Sequence, residues 1–182
     1  TLLDADDCFL QGSIKKRMDF LEQNGDFVGV RTNGWQDKHG KRKLFDLDPD
    51  RTVNTNLFDG LIGGRATNWA GSYMIRTQTL FDFYPTREIY ASRFGQHMQL
   101  LLPVAYKNKF GYIDEPLMIY FLQENSHSQA STQEEQLRKE YKGLLERLEA
   151  KGLLEGLEGV IIQEMVKGSR EMVCGIATDP QY

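Results

Sequence analysis

Apolar residues recur at helical spacing in residues 11–24, where Ile14, Met18 and Leu21 fall on one side of the predicted helix. The basic residues 15–17 then fall on the other side. We therefore predict an amphipathic helix that turns Ile14, Met18 and Leu21 towards the core.

A different period follows this helix. Residues 26–32 alternate between apolar and polar positions, which predicts a strand. Residues 37–41 are typical of a hairpin tip, with Gly40 supplying a positive φ. Residues 44–55 show no clear period and are predicted to form a loop, and residues 70–76 are predicted to form a second strand.

The second half of the chain begins with a strongly apolar stretch. Residues 96–107 predict a buried helix, and 110–113 and 117–121 predict two short strands. Strands and helices alternate over residues 1–130, which indicates a mixed α/β domain. Residues 131–182 carry amphipathic patterns and are predicted to form a helical C-terminal extension.

Composition narrows the function classes. The 182 residues are 40% hydrophobic and carry a formal net charge of −4. No stretch of about 18 apolar residues exists, so no membrane-spanning helix is expected. The mild acidity argues against sequence-independent binding of nucleic acid, which relies on many Lys or Arg contacts to phosphates. Cys8 and Cys174 are too few for a disulfide framework.

The most informative motif is Asp4-Ala5-Asp6-Asp7, which follows Leu2 and Leu3, the expected end of a strand. Three carboxylates within four residues repel one another unless a cation or hydrogen-bond donors compensate. Mg²⁺ or Mn²⁺, held by one or two carboxylates and by substrate phosphates, suits such a cluster. The alternative is a solvated acidic loop or the start of a helix.

Several further blocks agree with this motif. LLDADD, GSIKKRMDFLEQNGDFVGV, NWAGSYMIR, GQHMQLLLPVAYKNKFGYIDEPLMIY and ENSHS occur in this order. Over residues 1–128 the chain resembles a family 2 glycosyltransferase of the GT-A fold, from its DxD motif onward. The resemblance implies a mixed sheet with flanking helices. It also leads us to expect that a nucleotide-binding portion precedes Thr1, because the DxD motif lies near the middle of such domains.

The resemblance also implies roles for the donor-side residues. Asp4 would contact the ribose or the sugar of the nucleotide-sugar donor, and Asp6 would bind the divalent cation (Mn²⁺ or Mg²⁺) that bridges the diphosphate. Asp7 would contact the donor sugar or support its neighbours. His127 would be a second metal ligand, although a surface-loop histidine is an alternative.

On the acceptor side, the resemblance implies contacts from Trp69, Gly71 and Ser72, where a glycine allows close approach of the backbone. Trp69 has the alternative of a core aromatic. Related enzymes usually carry an acidic pair before the apolar helix, and here those positions read Gln96-His97. Gln96 would contact the acceptor, and His97 is the candidate general base because imidazole titrates near pKa ~6.5. Alternatively, His97 only hydrogen-bonds the acceptor, or another residue is the base.

The function predicted first is therefore inverting transfer of a sugar from a nucleotide donor to a carbohydrate or lipid-linked acceptor, in the cytoplasm or at the inner face of the membrane. The resemblance points to synthesis of surface polysaccharide, lipopolysaccharide or glycolipid. A sugar-nucleotide or glycan-binding module without catalysis is the second hypothesis. A phosphohydrolase with an aspartate nucleophile is a third, ranked lower because Asp7-Cys8 follow the DxD motif.

A basic hairpin is the remaining feature of note. Lys38, Lys41, Arg42 and Lys43 surround His39. This hairpin could contact anionic lipid or an acidic acceptor. A solvated turn is the simpler interpretation.

Overall fold

A computed structural model describes residues 1–62, 65–67, 69–89 and 96–122. The predicted C-terminal helices and His127 lie outside these residues. The described elements, in chain order, are β1 (Cys8–Phe9), α1 (Ser13–Gln23), β2 (Phe27–Lys38), β3 (Lys41–Leu44), α2 (Leu57–Ile62), β4 (Tyr73–Ile75), α3 (Thr77–Phe83), α4 (Gln96–Ala105) and β5 (Lys109–Phe121). No helix in this part of the chain is long and apolar enough to span a bilayer.

The fold is mixed α/β around an open five-stranded sheet. The strand order is β1-β5-β2-β3, and β4 also pairs with β2. β2 and β5 run parallel at the centre, whereas β1, β3 and β4 pair antiparallel with their neighbours. This confirms the predicted α/β class.

β5 is one strand, so the prediction of two short strands was wrong. The ladder pairs Thr32 with Ile113 and then Asn33 with Pro116. At this point β5 therefore contains two residues that have no ladder partner on β2. Asp114 and Glu115 are exposed at this irregularity. At a β-bulge, extra residues stay unpaired while the strand continues on both sides. The alternation of apolar and polar residues along one strand does not show whether the strand ends or only bulges.

The hairpin prediction is confirmed. β2 and β3 are joined by His39 and Gly40, whose φ angles are 53° and 82°. Two successive residues with positive φ match a type I′ turn, whose twist suits the flanking strands.

The hydrophobic core lies mainly between the sheet and helices α2 and α4. Its buried members are Leu57, Phe58, Leu61, Tyr73, Leu101, Leu102, Val104, Ala105 and Phe110. α1 covers the opposite face, where a Cβ on Gly111 would overlap the Phe20 ring. The sheet is therefore covered by helices on both faces, and residues 100–105 of the apolar stretch are buried as predicted.

The predicted orientation of α1 was wrong. Arg17 is fully buried, whereas Ile14 is 38% exposed and Met18 48%. The Arg17 Nη2 donates to the carbonyl of Gly71 at 2.6 Å and to the hydroxyl of Thr32 at 2.9 Å. These two partners hold the guanidinium inside and turn the opposite side of the helix outward. Leu21 is buried as predicted.

Leu2 and Leu3 do not form the predicted strand end. They are 50% and 38% exposed and belong to no strand. A backbone hydrogen bond of 3.1 Å from Asp7 N to Asp4 O closes a turn just after them, and β1 begins only at Cys8. A strand requires a ladder partner, and β5 pairs with Cys8 and Phe9.

Candidate functional site

The carboxylates of Asp4, Asp6 and Asp7 lie in one turn beside the end of β5, and this turn is called the carboxylate turn below. The backbone N–H of Phe121 donates to Asp7 Oδ1 at 3.0 Å. Asp7 Oδ2 is buried and has no hydrogen-bond partner. Burial raises the pKa of Asp7 to about 6, the charges of Asp6 and Asp4 add to the rise, and the Phe121 N–H opposes it.

His97 lies in the first turn of α4 and contacts Tyr73 of β4. Its Nδ1 is 2.9 Å from the Tyr73 hydroxyl, and the two rings meet edge to face with centroids 5.8 Å apart. Burial lowers the pKa of His97, and the negative charge of Asp4 partly offsets this. Burial therefore favours the neutral imidazole.

Asp4 connects this pair to the carboxylate turn. Burial is the largest cause of the raised pKa of Tyr73, and the charge of Asp4 adds to the rise. The same charge partly offsets the lowering of the pKa of His97 by burial. The fold thus brings a DxD residue within electrostatic range of the candidate base, although the two are far apart in sequence. Tyr73 was not identified from the sequence, where it stood only as one apolar position in a strand.

Gly71 and Ser72 lie in the tight turn that precedes β4. The backbone N–H and the hydroxyl of Ser72 both donate to the carbonyl of Trp69, at 3.0 and 2.6 Å. Ser72 is 1% exposed, so its hydroxyl is engaged in holding this turn. Gly71 has φ +78° and packs against Leu3, which joins the turn to the segment leading into the carboxylate turn.

Trp69 packs between two aromatic rings. The centroids of Phe45 and Tyr120 each lie 4.4 Å from its ring centroid. These contacts favour the packing role that the sequence left open for Trp69. They also place Trp69 close to the carboxylate turn. Tyr120 directly precedes Phe121, and the backbone N–H of Phe121 donates to the Asp7 carboxylate.

Arg17 is a second residue that the sequence did not single out. It forms no salt bridge among the described residues, its Nε and Nη1 lack hydrogen-bond partners, and its guanidinium lies 5.1 Å from the centre of the Phe9 ring. Burial lowers its pKa to about 10. Its contact with the Gly71 carbonyl couples α1 to the turn before β4.

Gln96 and His127 are the two remaining residues of the predicted site. Gln96 is the first residue of α4, which places it next to His97 in the chain. His127 lies outside the described residues. Among the predicted site residues, Asp4, Asp6 and Asp7 share the carboxylate turn and the charge of Asp4 acts on His97. Trp69, Gly71 and Ser72 lie in the turn before β4.

The carboxylates of the carboxylate turn are oxygen ligands of the type that hard cations prefer. Asp7 Oδ2 is a buried oxygen without a hydrogen-bond donor in the described part of the chain, and burial raises the pKa of this carboxyl. Within the described residues there is no group of three or more His, Cys, Asp or Glu side chains placed to hold a metal. A cation held by one or two carboxylates and completed by substrate phosphates does not require such a group.

Comparison with known proteins adds no assignment. A scan against models of protein families finds no match, and a search of curated proteins finds no relative.

Proposed function

We propose that this protein is an inverting glycosyltransferase that transfers a sugar from a nucleotide-diphosphate donor to a hydroxyl acceptor. The proposal rests on the sequence resemblance and on one structural observation, the contact of 2.9 Å between His97 Nδ1 and the Tyr73 hydroxyl, at which the charge of Asp4 is felt. A base close to donor-binding carboxylates is what a single in-line displacement requires, because the acceptor oxygen must be deprotonated as it attacks the anomeric carbon.

The contact with Tyr73 determines which nitrogen of His97 can act. When Nδ1 carries the proton and donates it to the Tyr73 oxygen, the lone pair of Nε2 is free to take a proton from an acceptor hydroxyl. The charge of Asp4 then stabilises the imidazolium, and burial favours returning the proton afterwards. In the other tautomer the Tyr73 hydroxyl donates to Nδ1 and Nε2 carries a proton, so His97 can only donate.

Asp6 is the proposed cation ligand of the carboxylate turn. Asp4 is the proposed contact to the ribose or the sugar of the donor, and Asp7 is proposed to contact the donor sugar or to support its neighbours. Mn²⁺ or Mg²⁺ bound there would neutralise charge on the diphosphate leaving group. The reaction would belong to the synthesis of a surface polysaccharide or glycolipid, on the cytoplasmic side where nucleotide sugars are made.

Transfer should be tested with a panel of UDP-, GDP- and CDP-sugars, Mn²⁺ and a pool of glycan and lipid-linked acceptors, with nucleoside diphosphate release as the readout. Release that needs acceptor and falls at least about 100-fold in both His97→Ala and Asp6→Ala supports the proposal. His39→Ala and Asp26→Ala are matched controls, since both positions are exposed and distant in sequence from the carboxylate turn. Transfer that survives both site variants refutes the assignment.

A non-catalytic sugar-nucleotide or glycan-binding module is the second candidate. It is favoured by the substitution of Gln96-His97 for the usual acidic pair. Isothermal titration of UDP, GDP and CDP with Mn²⁺ separates the two. Binding that is lost in Asp6→Ala, without any transfer by the unmodified protein, identifies a binding module.

A further inference from the structure

The β2–β3 hairpin carries its positive charges on one face. Lys38 pairs with Lys41 and Gln36 with Lys43 across the ladder. Directly opposed residues point to the same side of a sheet, and alternate residues along a strand share a side. Lys38, Lys41 and Lys43 therefore form one surface, called the lysine face below, and all three are exposed.

The other face of the same hairpin is electrically balanced. Arg42 Nε lies 2.9 Å from Asp37 Oδ2, and these two residues are ladder partners. Within the described part of the chain, the three lysines of the lysine face have no salt bridge or hydrogen bond. One face of the hairpin therefore has its positive charge paired with a carboxylate, and the other face, the lysine face, has three positive charges that are unpaired among the described residues.

The lysines are held on a rigid support. The turn uses two residues with positive φ, and the Gly40 N–H donates to Asp37 Oδ1 at 2.8 Å. Lys38 and Lys41 face each other directly, and opposed like charges destabilise a sheet. The repulsion between Lys38 and Lys41 therefore destabilises the hairpin in solution. Contact with a negatively charged surface would relieve this repulsion.

The segment that follows the hairpin exposes apolar side chains. Leu47 and Val53 are each 74% exposed. Of the acids in this segment, Asp46 is buried and Asp48 accepts the Asp50 N–H at 2.9 Å, leaving Asp50 exposed. Lysines followed in the chain by exposed apolar residues fit the interface of a lipid bilayer better than they fit nucleic acid, which offers phosphates but no apolar layer.

We propose that the lysine face docks the protein on a bilayer rich in anionic phospholipid, with Leu47 and Val53 reaching the interfacial layer. The net charge of −4 makes this a local attraction, so it acts within about one Debye length, roughly 10 Å at 0.1 M salt. The proposal does not depend on the glycosyltransferase assignment, because it involves none of the residues of the carboxylate turn or of α4.

Vesicle sedimentation tests this inference with phosphatidylcholine alone and with phosphatidylcholine containing phosphatidylglycerol. We expect binding only to the anionic vesicles, weakened about 100-fold by K38Q/K41Q/K43Q, since each lysine near an anionic surface contributes roughly fivefold. The control K15Q/K16Q/K109Q removes the same charge from three lysines that have acidic partners, and it should bind within about threefold of the unmodified protein.

Three results would overturn the inference. The unmodified protein does not bind anionic vesicles, or both triple variants lose binding equally, or a soluble polyanion such as dextran sulfate binds the lysine face while vesicles do not. A second variant, L47S/V53S, should weaken vesicle binding without changing binding to the polyanion. Circular dichroism of each variant shows that the fold is retained.

Discussion

The hydroxyl of Tyr73 lies 2.9 Å from Nδ1 of His97, and this contact joins β4 to the start of α4. Tyr73 is 1% exposed and its pKa is raised by burial, so the phenol stays protonated in the working range of pH. His97 therefore has a fixed neighbour at one nitrogen and the charge of Asp4 nearby. The relationship gives His97 a defined orientation whatever reaction it serves.

Removing this hydroxyl should have a measurable cost. Tyr73→Phe is expected to lower the free energy of unfolding by about 1 kcal/mol, the net value of one hydrogen bond. The same change made in a His97→Ala background should cost much less, because the partner is already gone. Urea denaturation of the four proteins gives the coupling energy, and a coupling near zero would show that the contact contributes nothing.

The imidazole of His97 should titrate below its ordinary value of 6.5, because burial disfavours the charged form. Asp4→Asn is expected to lower the pKa further, since the carboxylate of Asp4 favours the imidazolium. NMR titration of the His97 ring proton measures both values. Asp26→Asn is the control, because Asp26 is an exposed residue paired with Lys109.

The same shift of His97 sets the sign of its effect on stability. A histidine with a depressed pKa binds its proton less readily when folded, so its contribution is present above pH 6.5 and is lost as the pH falls below that value. A titration that finds the pKa of His97 above 6.5 would show that burial does not outweigh the charge of Asp4.

The raised pKa of Asp7 predicts a pH-dependent effect of Asp7→Asn. The folded protein favours the protonated carboxyl, so this group's contribution is fully present below pH 3.8 and is lost as the pH rises through about 6. Because asparagine does not ionise, the Asp7→Asn variant does not lose this stability as the pH rises. Its melting temperature relative to the unmodified protein should therefore rise between pH 4 and pH 7.

Asp37→Asn is the control for Asp7→Asn, because the pKa of Asp37 is lowered by folding whereas the pKa of Asp7 is raised. The hydrogen bond from Arg42 is the largest cause of the lowered pKa of Asp37, and the Gly40 N–H adds to it. Asp37 therefore stabilises the fold above pH 3.8, and this contribution is lost as the pH falls through its folded pKa. Asp37→Asn should melt lower than the unmodified protein at pH 7. The same direction for both variants would contradict the pKa assignment.

Gly71→Ala is expected to be costly for two separable reasons. Its φ is +78°, and an added Cβ would lie 2.8 Å from Leu3 Cδ1 and 3.1 Å from Met118 Sδ. Gly12 has φ +77° with nothing within 4 Å, so Gly12→Ala measures the conformational cost alone. We expect about 1 kcal/mol for Gly12→Ala and about 2–4 kcal/mol for Gly71→Ala by chemical denaturation. Equal costs would show that Leu3 does not pack on the turn.

The unexpected orientation of α1 is also testable. Leu21 is 6% exposed, so Leu21→Ala should cost about 2–4 kcal/mol of unfolding free energy. Met18 is 48% exposed, and Met18→Ala should cost less than about 1 kcal/mol. Arg17→Met tests the inner face, because it removes the donors to Gly71 and Thr32 while keeping an apolar side chain of similar length. A Met18 variant as damaging as the Leu21 variant would restore the orientation predicted from the sequence.

The sequence alone determined the features that depend on neighbouring residues. The α/β class, the span of α1, the apolar α4 and the hairpin at His39-Gly40 all follow from short-range periodicity and from the φ preference of Gly40. The acidic motif was also visible, because three carboxylates within four residues stand out without any knowledge of what surrounds them.

Which groups meet depends on the tertiary structure. Periodicity assigned Arg17 to the solvent side of α1, yet Arg17 is buried because its hydrogen-bond acceptors lie on β2 and in the turn before β4. The contact between Tyr73 and His97 and the continuity of β5 likewise depend on pairings between distant segments. Such pairings gain their free energy only when the chain has folded, so no local pattern in the sequence records them.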